Sequence, residues 1–432
     1  MVEKDVFAMK SLSMRIKGEL AFIRGNYAVL VLSWLIMDFA IEVPATYYAL
    51  YVIGLGATET IVGIVGLCYF LALASMQFPG GYVADRFGRK WIICTMTFGV
   101  ALSYLFYALA PSWHFILVGA MLAAIFNSTY QPALMAMIAD SLPPDRRGTG
   151  FGIVSLISNI STTPAPIVAA YLCSTFGLMS GMRISYGLVV TLFLLAAILR
   201  TLYLKETVKV SEKPSLAELW RSYPTAVRES LTVFKRSSRS LTFLILAAVM
   251  CGFGSSAVFP YLPVYAVREL LIEEALWGLM LAAVPATTVA LSIPVGRLMD
   301  KVGKKMPLAI ACVLLAASMW LFADGGAPLV IVSLVLMGAG SVTIHTGLGS
   351  LIADLVPMRD RGKVNAFLNF SSLSFMALGN LVGGFLYEHL SPRLPFYLAT
   401  LISLLAALLV ALFVKEAEGV RDYVEHHSIL QQ

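Results

Sequence analysis

A hydrophilic turn recurs at half the length of this 432-residue chain, and that repetition limits the folds open to it. The first copy is Pro79-Gly-Gly81-Tyr-Val-Ala-Asp85-Arg86-Phe-Gly88-Arg89-Lys90, and the second is Pro294-Val-Gly296-Arg-Leu-Met-Asp300-Lys301-Val-Gly303-Lys304-Lys305. Gly81 and Gly296, like Asp85 and Asp300, stand 215 positions apart. The spacing predicts two similar halves joined end to end. In each turn the first glycine is expected to let one membrane helix approach another, and Gly88 or Gly303 to permit the turn after a helix end.

Each turn lies between long apolar runs. Such runs fall near 27–53, 60–84, 91–110, 114–138, 150–175, 183–204, 241–266, 275–296, 307–323, 328–350, 365–387 and 394–414. Nearly all approach the ~20 residues that a ~30 Å hydrocarbon core requires, so the expected fold is an all-α membrane protein with twelve transmembrane helices in two pseudo-symmetric six-helix bundles. Only 13% of residues are charged, about half the share in a soluble domain. Residues 1–26 hold no apolar stretch ahead of the first run, so no cleavable signal peptide is expected. The five cysteines all sit inside apolar runs without a Cys-x-x-Cys pair, and read as small core residues.

Of the 31 Lys and Arg residues, only Arg183, Arg268 and Arg393 fall in segments on one side of the membrane. That asymmetry predicts cytoplasmic termini in a plasma-membrane protein, and a basic face turned to anionic lipid and not to nucleic acid. The expected divisions are a cytoplasmic segment 1–26, a bundle 27–204, a linker 205–240 with amphipathic helices, a second bundle 241–414 and a tail 415–432.

A second signature also repeats. Ala139-Asp140-Ser-Leu-Pro143-Pro-Asp-Arg-Arg147-Gly148 is matched by Ala353-Asp354-Leu-Val-Pro357-Met-Arg-Asp-Arg361-Gly362, 214 positions on. Asp140 and Asp354 end helices there, and either pair with loop bases or are simply solvated. The sequence resembles the major facilitator superfamily, whose loop between helices 2 and 3 carries Gly-x-x-x-Asp-Arg-x-Gly-Arg-Lys; residues 81–90 match at every specified position. An Ala-Asp…Arg-Gly turn between helices 4 and 5 resembles that family too. The resemblance implies alternating access to a midplane site, with helices 1, 4, 7 and 10 lining the cavity and the repeated turns acting as gates. Departures are visible. Asn159-Ile-Ser-Thr-Thr163-Pro164-Ala-Pro166 keeps the proline but not the glycines that exporters of the family carry in helix 5, and Gly119 and Ala120 stand near where many proton-coupled members place an arginine.

An acid inside a membrane helix costs a few kcal/mol or more, so it marks a pathway by default. Asp38 and Glu42 are the only two acids well inside an apolar run, four apart and on one face. At ~1.5 Å per residue Asp38 lies near mid-membrane. Pro44 matches Pro260 of the second half, yet Gly254 and Val258 occupy the positions of the acids, so the repeat does not demand them. Carboxylates in a low-dielectric site suit proton binding and release; the alternative is a hydrogen bond to a neighbouring helix. The family resemblance adds Asn127 and Gln131 on helix 4, His345 on helix 10, and Tyr261 and Tyr265 on helix 7 as proton or substrate residues. His345 could equally be a neutral, bonded histidine, and Tyr265 an interfacial belt residue. Arg200, the one base away from a helix entrance, is expected to snorkel, which leaves a cavity with two acids and no fixed base. Cationic or neutral lipophilic substrates fit such a cavity.

No phosphate-binding loop, His-Glu-x-x-His or nucleophile elbow occurs, so no enzyme, cofactor or metal is expected. The reading is a monomeric secondary transporter performing proton antiport, of the multidrug-efflux kind. The alternatives are an importer or facilitator of a small neutral or cationic solute, and a ligand sensor that moves nothing.

Overall fold

The computed structural model describes residues 23–143, 146–208 and 238–416 together with positions 224, 228, 232 and 234; for residues 78–87 and 155 it describes helical backbone only. Most of the segment 1–26, of the linker 205–240 with its expected amphipathic helices and of the tail 415–432, and the side chains at positions 81, 85 and 86, therefore lie outside the described residues.

Among the described residues, twelve helices are long and apolar enough to cross a membrane. In the first half they are α1 (Gly25–Ala45), α2 (Glu59–Phe87), α3 (Arg89–Ala108), α4 (Trp113–Asp140), α5 (Arg147–Phe176) and α6 (Leu178–Tyr203). The second half repeats the order with α7 (Arg239–Arg268), α8 (Glu274–Val302), α9 (Lys305–Asp324), α10 (Gly326–Leu355), α11 (Arg361–His389) and α12 (Leu394–Phe413). In lipid every backbone donor and acceptor must be satisfied within the chain, which is why apolar stretches of this length form helices. An even number of crossings puts the start of α1 and the end of α12 on one face, the terminal face; the opposite one is the far face.

The symmetry extends to the breaks. A proline ring removes a helical N–H and crowds the carbonyl four residues back. Accordingly α1 ends just after Pro44 and resumes as a short helix, Tyr48–Gly54, and α7 is interrupted at Pro260 by a 3-10 turn, Phe259–Tyr261. Gly88 and Gly303 join α2 to α3 and α8 to α9 with φ of 90° and 88°, a left-handed conformation that suits glycine. Gly296 does not follow the sequence expectation. A Cβ built there would meet nothing within 4 Å, so no helix is held close to α8 at that point.

The halves meet along α2 and α11, and where the second segment of α5 packs on the start of α8. Small residues make the first contact close: a Cβ on Gly384 of α11 would lie 2.5 Å from the Glu59 carbonyl oxygen and 2.6 Å from the Tyr261 hydroxyl. Among the described residues the polar contacts between halves gather at the far face. Arg268 pairs with Glu59 at 2.8 Å, the Thr60 N–H donates to the Glu388 carboxylate at 2.8 Å, and the Trp277 indole N–H donates to the Thr46 carbonyl at 3.3 Å. The Tyr47 hydroxyl donates to the Glu274 carbonyl beside them.

Candidate functional site

Both acids of α1 are partly buried. Asp38 accepts a hydrogen bond from the Ser158 hydroxyl on α5. It shares a cavity of about 60 Å³ with Trp34 of α1, Asn127, Tyr130 and Gln131 of α4, and Arg200 of α6. Asp38, Asn127 and Gln131, singled out from sequence, are thus brought together. Glu42 follows one turn along α1 and is not in that wall.

Arg200 corrects the sequence reading. Its side chain is 1% exposed, so it turns into the bundle instead of reaching for the lipid headgroups. Its Nε donates to the Ser33 hydroxyl at 2.9 Å, its Nη1 donates to the Thr97 hydroxyl at 2.7 Å, and its guanidinium lies over the Tyr130 ring, 5.6 Å from the centroid. Hydroxyl acceptors on α1 and α3 and a ring face on α4 replace the water that snorkelling would supply. The pocket of Asp38 therefore has a fixed base after all.

The remaining candidates lie elsewhere. His345 is an exposed residue of α10 and does not line this cavity. Tyr261 and Tyr265 are buried, at 0% and 1% exposure, with their hydroxyls donated to backbone carbonyls: Tyr261 to Asn380 at 3.0 Å, and Tyr265 to Ala323 at 2.7 Å. They pin α7 to α11 and α9. Toward the far face, beyond Ile41, a larger cavity of about 350 Å³ is walled by Tyr48, Tyr69, Tyr104, Tyr107 and Tyr186. Those tyrosines come from four segments of sequence, each of which reads locally as an ordinary membrane helix.

At the terminal face the repeated turns form matching constellations. Arg89 pairs with Asp140, and at the equivalent place Lys304 pairs with Asp354 at 2.5 Å. Arg147 donates through Nε to the Ala139 carbonyl at 3.1 Å, while Arg361 donates to the carbonyls of Ala353 at 2.6 Å and Val356 at 3.0 Å, so each arginine caps the C-terminus of α4 or α10. Lys90 follows Arg89 into α3, whereas Asp300 and Lys301 are exposed. Two acids that sequence reasoning passed over complete the pattern. The Glu206 carboxylate accepts from the N–H groups of Arg89 at 3.1 Å and Lys90 at 3.0 Å, and the Glu416 carboxylate accepts from those of Lys304 and Lys305, each at 2.5 Å. Each places a negative charge on a helix N-terminus, where the backbone dipole favours it. The signal was present as Leu204-Lys-Glu206 and Val414-Lys-Glu416 after the last helix of each half.

The arrangement offers a carboxylate within a membrane helix, a fixed guanidinium on the same cavity, and two bundles joined at one face by polar contacts. The sequence profile of the Major Facilitator Superfamily matches residues 30–270 and 244–427. Among relatives, the uncharacterized MFS-type transporter YqjV of Bacillus subtilis is 24% identical over 370 residues, 84% of this chain and 87% of that one. The multi-drug resistance efflux pump PmrA of Streptococcus pneumoniae is 25% identical over 307 residues, 70% of this chain and 72% of that one. The crystal structure of a POT family transporter in complex with 5-aminolevulinic acid superposes with a TM-score of 0.73 at 14% identity, covering 90% of this chain and 96% of that one, and shares the fold. The chain is a multi-pass membrane transporter rather than an enzyme, and it belongs to the Major Facilitator Superfamily.

Proposed function

We propose that the protein exports a small neutral or cationic lipophilic molecule in exchange for protons, by alternating access, across a plasma membrane with its termini in the cytoplasm. The observation that carries this reading is Asp38: an ionisable group at mid-span, bonded to Ser158 of another helix and set in a cavity. A carboxylate in such a place can bind a proton on one side and release it on the other only if the two bundles expose it alternately. The polar contacts between halves at the far face favour a conformation closed on that side, which with cytoplasmic termini is inward-facing. Arg200 offsets the charge of Asp38 and leaves Glu42 as the acid in excess, which suits a neutral or monocationic substrate better than an anion. The export direction draws support from the similarity to PmrA, named as a multi-drug resistance efflux pump.

The test is transport of ethidium in everted membrane vesicles carrying the protein. An imposed pH gradient, acid inside, should drive ethidium accumulation that collapses with nigericin. Accumulation that ignores the gradient would leave a facilitator; counterflow absent under every condition would leave a ligand sensor.

A further inference from the structure

The tyrosine-walled cavity is not part of the pocket of Asp38, and nothing in the proton reading uses it. Tyr48 continues α1, Tyr69 lies on α2, Tyr104 and Tyr107 on α3, and Tyr186 on α6, so all five come from the first half. Phe259 and Asn380 of the second half close the side of the cavity.

Three of the rings form one wall. The centroids of Tyr107 and Tyr186 are 4.9 Å apart, those of Tyr104 and Tyr107 5.2 Å, and Tyr104 stacks on Tyr186 at 6.2 Å with an 18° interplanar angle. Such packing fixes the rings and hence the directions of their hydroxyls. Tyr107 and Tyr186 are only 6% and 3% exposed. Yet among the described residues none of the five hydroxyls has a hydrogen-bond partner, and none is sealed from the cavity they share. Elsewhere the same bundle satisfies its buried phenols: Tyr27 donates to the Gly150 carbonyl at 2.8 Å, and Tyr51 to the Tyr107 carbonyl at 2.8 Å. Buried polar groups are ordinarily paired, so five phenols left open to one space describe a surface built to be completed by something else.

We propose that this chamber binds a neutral, planar aromatic molecule with oxygen or nitrogen atoms on its edge, held chiefly by phenols of the first bundle. A volume of about 350 Å³ lies within the range of small-molecule sites, and the ring faces match a flat ligand. Each phenol can both donate and accept, which suits mixed polar edges. No charged side chain stands among the residues of the wall, so the chamber offers a charged ligand no ion pair. The proposal deepens the transport reading, on which it rests for its biological consequence, by giving the neutral members of its substrate class a binding site.

The experiment is isothermal titration of the full-length protein in detergent with 7-hydroxycoumarin at pH 6, where the probe is uncharged. The comparison variant is Tyr104→Phe/Tyr107→Phe/Tyr186→Phe, which keeps the rings and removes three hydroxyls, with Tyr48→Phe as a milder second variant. At roughly fivefold per lost hydrogen bond, the triple variant should bind at least about tenfold more weakly and Tyr48→Phe a few-fold more weakly, while Tyr203→Phe, exposed at the end of α6, binds as the wild type does. Equal affinity in wild type and triple variant, no binding to the wild type at millimolar probe, or stoichiometric displacement of the probe by tetraphenylphosphonium would each overturn the proposal. Failure of the transport reading is separate: probe affinity that depends on the hydroxyls in a protein that shows no vesicle flux would keep the chamber and discard the export.

Discussion

Arg200 of α6 donates through Nε to the Ser33 hydroxyl of α1 at 2.9 Å, five residues before Asp38 on the same helix. The contact ties the sixth helix to the acid-bearing one, and Nη1 extends the tie to Thr97 of α3 at 2.7 Å. Hydrogen bonds to a charged group contribute about 1.5–3 kcal/mol each, so losing both costs about 3 kcal/mol or more. Arg200→Gln should therefore lower the melting temperature and abolish gradient-driven flux. Arg200→Lys keeps the charge but has no planar fork to reach two hydroxyls on different helices, so it should restore part of the flux and little of the stability. Thermal melts and vesicle transport on the two variants check this; full activity in Arg200→Gln would remove the base from the mechanism.

The position of Arg200 was legible in the sequence and its direction was not. Near a helix end the lipid headgroups are always within reach of a long side chain, and only the three-dimensional meeting of Ser33, Thr97 and Tyr130 offers something better. The twelve helices, by contrast, follow from run length alone, because hydrocarbon thickness sets how many apolar residues a span needs. Tyr261 and Tyr265 show the opposite failure. Their place on helix 7 implies a lining by resemblance to the family, but their hydroxyls are taken up by the carbonyls of Asn380 and Ala323, and which carbonyl lies within reach is a property of packing.

Gly384 should report on closure of the far face. Any side chain there meets the Glu59 carbonyl of the opposing α2 and the Tyr261 hydroxyl of its own half. Gly384→Leu should force α2 and α11 apart and shift the population toward a state open at that face. Spin labels at the exposed positions Leu109 and Leu390 should show a longer distance by double electron–electron resonance in the variant. An unchanged distribution would mean that the contact does not hold the face shut.

Glu206 and Glu416 are expected to act as independent caps. Each accepts from two N–H groups at the start of a helix, and loss of a cap costs ~1 kcal/mol. Because they serve different halves, the destabilisations of Glu206→Ala and Glu416→Ala should add in the double variant. Thermal melts of the three proteins decide it; a double variant no worse than either single one would show that the two turns are coupled across the molecule.

Asp38 and Glu42 are ranked by their surroundings. Asp38 has a hydroxyl donor in Ser158, shares a cavity with Arg200, Asn127 and Gln131, and stands where the opposite half has only a glycine in the repeat, Gly254. Glu42 follows one turn on, outside that wall. Asp38→Asn keeps the size and a hydrogen-bond acceptor but cannot exchange a proton, so flux driven by a pH gradient should fall at least about tenfold while counterflow of labelled substrate, which needs no net proton movement, persists. Glu42→Gln should weaken cation transport without uncoupling it, because the coupling carboxylate remains. The pair of measurements separates proton coupling from substrate charge recognition: if Glu42→Gln uncouples and Asp38→Asn does not, the proton is carried one turn closer to the far face, and the network of Ser158 and Arg200 serves only to hold α1, α5 and α6 together.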